Sequence, residues 1–295
     1  MKNTQVIQLM SIVRLSIFML GITMISCNSK KEQQLPAIGK SVALFDYFSY
    51  KGNDDFYISN PLSDEDYFYN PILPGWYSDP SVCTNGEGDY FLVTSTFTYF
   101  PGVPIFHSKD LVNWKQIGHV LNRASQLVNM EGQKVSGGIF APAISYNPYN
   151  KTYYMVTINV GAGNFFVKTQ DPFGEWSEPV MLPEVGGIDP SFFFDEDGKA
   201  YIVNNDEAPD NKPEYSGHRT IRIQEFDVKT DKTIGPRKIL VNKGAQPADK
   251  PIWIEGPHLY KINGKYFLMS AEGGTGNWHS EVIFRGDSPT GKFTP

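Results

Sequence analysis

Three carboxylates in this chain stand beside prolines in similar surroundings. Asp79 opens Asp79-Pro80-Ser81, Asp189 opens Asp189-Pro190-Ser191, and Glu255 opens Glu255-Gly256-Pro257-His258. Acids gathered around one pocket suit hydrolysis of a glycosidic bond: one carboxylic acid protonates the leaving oxygen while a second carboxylate activates water. A third negative group raises the proton affinity of the acid by like-charge repulsion and keeps it protonated near neutral pH. The competing reading is that Asp before Pro only forms turns. Three recurrences, two of them Asp-Pro-Ser, favour a common site.

Residues this far apart meet only if the chain repeats a unit around a centre. Pro80, Pro142, Pro190 and Pro257 mark four such units, spaced 62, 48 and 67 residues apart. After each marker comes a turn rich in Gly, Asn or Asp, and then an aromatic strand: Tyr90-Phe91-Leu92-Val93, Tyr153-Tyr154-Met155-Val156, Tyr201-Ile202-Val203 and Tyr266-Phe267-Leu268-Met269. Each pair reads as a hairpin. Further strands follow in each unit, such as Ile105-Phe106-His107-Ser108 before Trp114 and Phe165-Phe166-Val167 before Trp176. Four strands per unit and radial repetition predict an all-β propeller rather than a two-sheet sandwich. Equivalent positions then converge at one mouth, bringing Asp79, Asp189 and Glu255 together. Unit two carries Phe140-Ala141 at that place, where an aromatic ring suits a wall for a sugar.

The 295 residues carry a net charge of −6, with 14% aromatics, 27 Gly and 21 Pro. That composition favours short strands and tight turns over helices. The acidic balance argues against nucleic acid, whose phosphates need an excess of Lys and Arg.

Residues 1–26 read as an export signal: Lys2 and Arg14 precede an apolar run, Leu15 to Ile25, too short to span a bilayer. Met24-Ile25-Ser26-Cys27 resembles a bacterial lipobox, which predicts lipidation of Cys27 and a membrane-anchored lipoprotein, periplasmic or at the cell surface. The alternative is an ordinary secretory signal with an incidental cysteine. Residues 27–69 then form a polar tether and an aromatic extension ahead of a propeller at 70–295. Cys83, in an apolar strand, is expected to be buried and inert. Asp195-Glu196-Asp197-Gly198-Lys199 has the opening of a calcium loop but lacks the later glutamate, so a hairpin turn is expected.

The stretches Asn70 to Ser81, Thr94 to Trp114, Gly138-Ile139-Phe140-Ala141-Pro142, Gly187 to Ser191 and Glu255 to Lys261 resemble the β-xylosidase and α-L-arabinofuranosidase members of glycoside hydrolase family 43, from about residue 70 onward. The resemblance implies a five-bladed β-propeller and an inverting exo-glycosidase acting on xylosyl or arabinofuranosyl ends of plant polysaccharide fragments, with oligosaccharide as substrate and no protein partner. It assigns Asp79 as general base, Glu255 as general acid and Asp189 as the group that tunes and orients the acid. It places Trp76, Phe97 and Phe140 at the walls of the sugar subsite, core packing being the alternative for each, and His258 close to substrate. No cofactor or metal site is expected from the residues. The family's central calcium is associated with a histidine that, like an arginine near the acids, is not assignable here. Sequence for about four blades is present, which predicts a truncated product or fragment, inactive or weakly active. A carbohydrate-binding propeller without turnover is the alternative function.

Overall fold

The computed structural model describes residues 55–63 and 66–295. The export signal, Cys27, the tether and most of the extension lie outside them. Residues 55–61 belong to a unit separate from Leu62–Pro295 and contribute one short helix, α1 (Asp55–Ser59).

The larger unit contains four sheets of four strands, each an antiparallel meander in chain order. Blade one is β1 (Ser81–Thr84), β2 (Tyr90–Val93), β3 (Gly102–Ser108) and β4 (Lys115–Leu121). Blade two is β5 (Ile139–Asn147), β6 (Thr152–Asn159), β7 (Gly163–Thr169) and β8 (Val180–Met181). Blade three is β9 (Ile188–Phe194), β10 (Ala200–Glu207), β11 (Arg219–Asp227) and β12 (Lys232–Asn242). Blade four is β13 (Glu255–Ile262), β14 (Lys265–Glu272), β15 (Ser280–Gly286) and β16 (Phe293–Thr294). The all-β propeller arrangement expected from the proline markers is what the chain forms, with four blades among the described residues.

Turn chemistry sets the hairpins. Asn263 and Gly264, at φ 51° and 74°, link Ile262 to its partner Lys265. Two left-handed residues suit the twist of the flanking strands. The Asp195–Lys199 segment is likewise a hairpin turn, closed by bonds from Gly198 N–H to Asp195 O and from Asp195 N–H to Lys199 O. The buried Asp195 carboxylate accepts from Lys261 Nζ at 3.0 Å and Tyr266 Oη at 2.6 Å, which ties blade three to blade four.

The core lies between blades. Phe91, Val93 and Ile105 meet Ile144, Tyr153 and Met155. Tyr154, Val156 and Phe166 meet Phe192, Ile202 and Phe226 on the other side of blade two. Phe193, Tyr201 and Ile221 meet Leu259, Leu268 and Phe284. β6 is therefore buried along its whole length, whereas β14 alternates, with Tyr266, Leu268 and Ser270 buried. Cys83 is half-buried against the first of these clusters, and burial pushes its thiol up to about 12, so it stays protonated.

Serines fasten successive first strands. Ser81 Oγ accepts from Ile144 N–H at 3.1 Å, Ser145 Oγ donates to Phe192 O at 2.9 Å, and Ser191 Oγ donates to Pro257 O at 2.5 Å. Each such bond is worth about 1 kcal/mol, and together they set the relative height of the blades.

Candidate active site

Every first strand carries the same irregularity at its proline. In β5, Phe140 pairs with Ile158 and Ala143 with Val156, so Ala141-Pro142 together face Thr157. In β9, Asp189-Pro190 face Asn204, and in β13, Gly256-Pro257 face Ser270. In blade one, Ser81 pairs with Val93 and Ser95 N–H bonds Ser78 O at 3.0 Å, so Asp79-Pro80 face Thr94. A bulge of two residues against one suits proline, which has no N–H for the ladder. The residue before each proline is left-handed: Asp79 at φ 54°, Ala141 at 32°, Asp189 at 54° and Gly256 at 56°.

This register corrects one expectation. Asp79 and Asp189 occupy the left-handed slot, but in blade four that slot holds Gly256, and Glu255 stands one residue earlier, level with Phe140 and Ile188. The four residues opposite the bulges, Thr94, Thr157, Asn204 and Ser270, are all polar and buried.

The acids differ in setting. Asp79 is exposed, and Ser95 Oγ donates to its Oδ2. Ser95 Oγ also accepts from Ala141 N–H at 2.7 Å, linking blade one to blade two. Asp189 is buried and its Oδ2 accepts from Gly256 N–H at 3.1 Å. Burial pushes its carboxyl up to about 7, the charge of Glu255 adds to the rise, the Gly256 bond opposes it, and Asp79 contributes further repulsion. Glu255 is half-buried and raised above the usual carboxylate range, chiefly by burial and with help from Asp79, while His279 and Arg219 pull it back. The three acids are thus near enough to feel one another.

The aromatics predicted as walls form one group. Trp76 is exposed and stacks on Phe97 with ring centroids 5.3 Å apart and planes 14° apart. Phe97 meets Phe140 edge-on at 5.4 Å, and Tyr99 meets Trp76 edge-on at 5.6 Å. Phe97 is left-handed at φ 53° and pairs with Ile139 through two bonds of 2.9 Å. Gly138 makes that possible, since a Cβ there would lie 2.3 Å from Phe97 O. Trp76 is therefore outside the core, with Phe97 and Phe140 half-buried behind it.

His258 is placed elsewhere. It follows the bulge of β13, opposite Met269, and its ring faces Tyr260 at 6.3 Å rather than the Trp76 group. Burial lowers its imidazole to about 4, leaving it neutral at physiological pH.

Sequence reading missed Ser95, Arg219 and Trp253. Ser95 had a signal, a polar residue beside Thr94 after an apolar strand. The other two act on Glu255 or the segment before it without any local pattern. The group as a whole presents one exposed carboxylate, two carboxyls whose proton affinity is raised by burial, and a flat apolar ring face.

The profile of Glycosyl hydrolases family 43 matches residues 68–295. A xylosidase/arabinosidase of Butyrivibrio fibrisolvens is 49% identical over 219 residues, which are 73% of this chain and 41% of that protein. The non-reducing end alpha-L-arabinofuranosidase BoGH43B of Bacteroides ovatus is 41% identical over 235 residues, 77% of this chain and 40% of that protein. Among solved structures, a GH43_12 retrieved from capybara gut metagenome superposes with a TM-score of 0.77 at 55% identity, covering 83% of this chain and 45% of that one. This chain spans about two-fifths of the length of the curated relatives it matches. With its repeated bulges, its converging carboxylates and these matches, the chain belongs to glycosyl hydrolases family 43.

Proposed function

We propose that the protein is an inverting exo-glycosidase that removes terminal β-xylosyl or α-L-arabinofuranosyl residues from plant polysaccharide fragments. The observation that carries this reading is three neighbouring acids in graded settings, Asp79 exposed, Glu255 half-buried and Asp189 buried, with Asp189 subject to repulsion from the other two. Asp79, exposed and with Ser95 donating to it, takes the proton of the attacking water. Glu255, raised by burial, gives its proton to the leaving oxygen. Asp189 is the group proposed to tune and orient the acid: it accepts from the N–H of Gly256, the residue next to Glu255. Trp76, Phe97 and Phe140 supply the apolar wall for the sugar ring, and His258, neutral on the blade-four face, is an outlying contact. The printed names of the relatives include both xylosidase and arabinofuranosidase, in keeping with a pentose.

The test is hydrolysis of nitrophenyl β-xyloside and α-L-arabinofuranoside by the protein and by Glu255→Gln, with the anomer of the first product read by NMR. Inverted product, abolished in the variant while sugar binding persists, is expected. Sugar binding without turnover in the parent protein would instead establish a binding propeller. Retained configuration would exclude the water-activating role of Asp79.

Export and anchoring through Cys27 complete the reading, on the strength of Met24-Ile25-Ser26-Cys27 after an apolar run. Metabolic labelling with a fatty acid should mark the protein and fail to mark Cys27→Ser.

A further inference from the structure

Glu255 is preceded by a short segment, Pro251 to Ile254, that reaches β13 outside any ladder and is held by separate bonds. Tyr215 Oη donates to Pro251 O at 2.7 Å, and Trp253 N–H donates to Gly217 O at 2.8 Å. Asn205 Nδ2 donates to Ile254 O at 2.6 Å, and Gly273 N–H to Ile252 O at 2.8 Å. Gly217, at φ 83°, lets blade three come this close, since a Cβ there would lie 2.7 Å from Ile252 Cβ.

Within the segment, Trp253 is left-handed at φ 52°. A bulky residue keeps that conformation only where its surroundings over-determine it. What holds it is Arg219, whose guanidinium lies 4.2 Å from the centroid of the Trp253 ring. Arg219 is itself fixed by an ion pair with Glu207, its cross-strand partner on β10, and its side chain is only 18% exposed, so the cation stacks largely out of water. The strained residue, its clamp and the carboxyl two residues onward make one unit.

We propose that Arg219 is a positioning residue for Glu255, fixing Trp253 through a cation–π clamp and placing a positive charge beside the acid; this rests on Glu255 being the acid. The charged groups that act on Glu255 are Asp79 on the negative side and His279 and Arg219 on the positive side, and Glu255 in turn acts on Asp189. Removing Arg219 therefore does two separable things. It frees the segment, which misplaces the carboxyl, and it strengthens the hold of Glu255 on its proton.

The experiment compares Arg219→Met, Arg219→Lys and Trp253→Leu with the parent in kcat, KM and the pH profile of kcat/KM on an aryl glycoside. Arg219→Met is expected to lower kcat about 10- to 100-fold with KM nearly unchanged, and to move the basic limb to higher pH. Arg219→Lys keeps the charge and returns the limb to its parental place while recovering only part of kcat. Trp253→Leu lowers kcat and leaves the limb where it was. Arg219→Met folded with parental kcat and limb would overturn the assignment. If that variant does not fold, parental kcat in Trp253→Leu overturns it. If Glu255→Gln retains hydrolysis, the acid assignment fails and the clamp with it. Glu255→Gln inactive beside an unaltered Arg219→Met sinks the clamp alone.

Discussion

Asp79 and Asp189 begin alike. Both precede Pro-Ser, both are left-handed at φ 54°, and both sit on a two-against-one bulge at the start of a first strand. They then part company. Asp79 is exposed and its partner is a serine hydroxyl, Ser95 Oγ. Asp189 is buried, its partner is a single backbone N–H, and two negative charges press on it. Like backbone with different neighbours yields one carboxyl open to water and one that is buried and holds its proton up to about pH 7. The bulge sets where a carboxyl sits, and its neighbours, Ser95 of the same blade for Asp79 and Gly256 of the next blade for Asp189, set its surroundings.

Asparagine at the two positions should separate them most. Asp79→Asn removes the proposed base and is expected to lower kcat on the order of 10²- to 10⁴-fold with sugar binding kept. Asp189→Asn should cost less in rate, and because Asp189 is itself protonated below about pH 7 and exerts no repulsion there, it should leave the profile below that pH where it was. Equal rate losses would break the comparison.

Next in size is stability. Asp189, at about 7 in the folded protein and about 3.9 when unfolded, binds a proton between these values only in the native state. Folding stability from this group is therefore present below about pH 4 and lost as pH rises toward 7. Melting temperatures across pH 4 to 8 should show that slope in the parent and a flatter curve in Asp189→Asn, the variant being relatively more stable at the alkaline end.

A smaller effect concerns the partners. Ser95→Ala orphans Ala141 N–H and removes the donor to Asp79, which should destabilise by about 1–3 kcal/mol and reduce activity. The smallest lies opposite the bulges. Asn204 Nδ2 donates to Gly186 O and Asn205 O, both at 2.6 Å. Thr94 Oγ1 has no hydrogen-bond partner among the described residues. Thr94→Val should therefore cost almost nothing, while Asn204→Leu, which leaves two carbonyls unpaired, should cost as much as Ser95→Ala. Chemical denaturation of the pair checks this.

The proline markers made the blades legible, because a residue without N–H has few places in a sheet and recurs at the same one. The acids were legible for the same reason, being tied to those prolines. The one-residue offset of Glu255 was not, since Glu-Gly-Pro reads like Asp-Pro until the strand register shows that Gly256 takes the left-handed slot. Trp76, Phe97 and Phe140 were legible as candidates, but their stacking depends on Gly138 approaching Phe97 from across the blade boundary. Arg219 and Trp253 left no pattern at all. A cation and a ring 34 positions apart meet only because a hairpin tip of blade three reaches over the entry to blade four. The buried polar set Thr94, Thr157, Asn204 and Ser270 could have been found, as a polar residue at the same place in each apolar strand.

The slot before each proline holds Asp, Ala, Asp and Gly in turn without change of backbone. Folding asks only that this residue tolerate a left-handed turn, so the choice of side chain is free to follow the reaction. The ring thus works like a socket strip: charge can be installed, deleted or moved one place along by single substitutions, and ancestral or designed versions could exchange one chemistry for another without first paying in architecture.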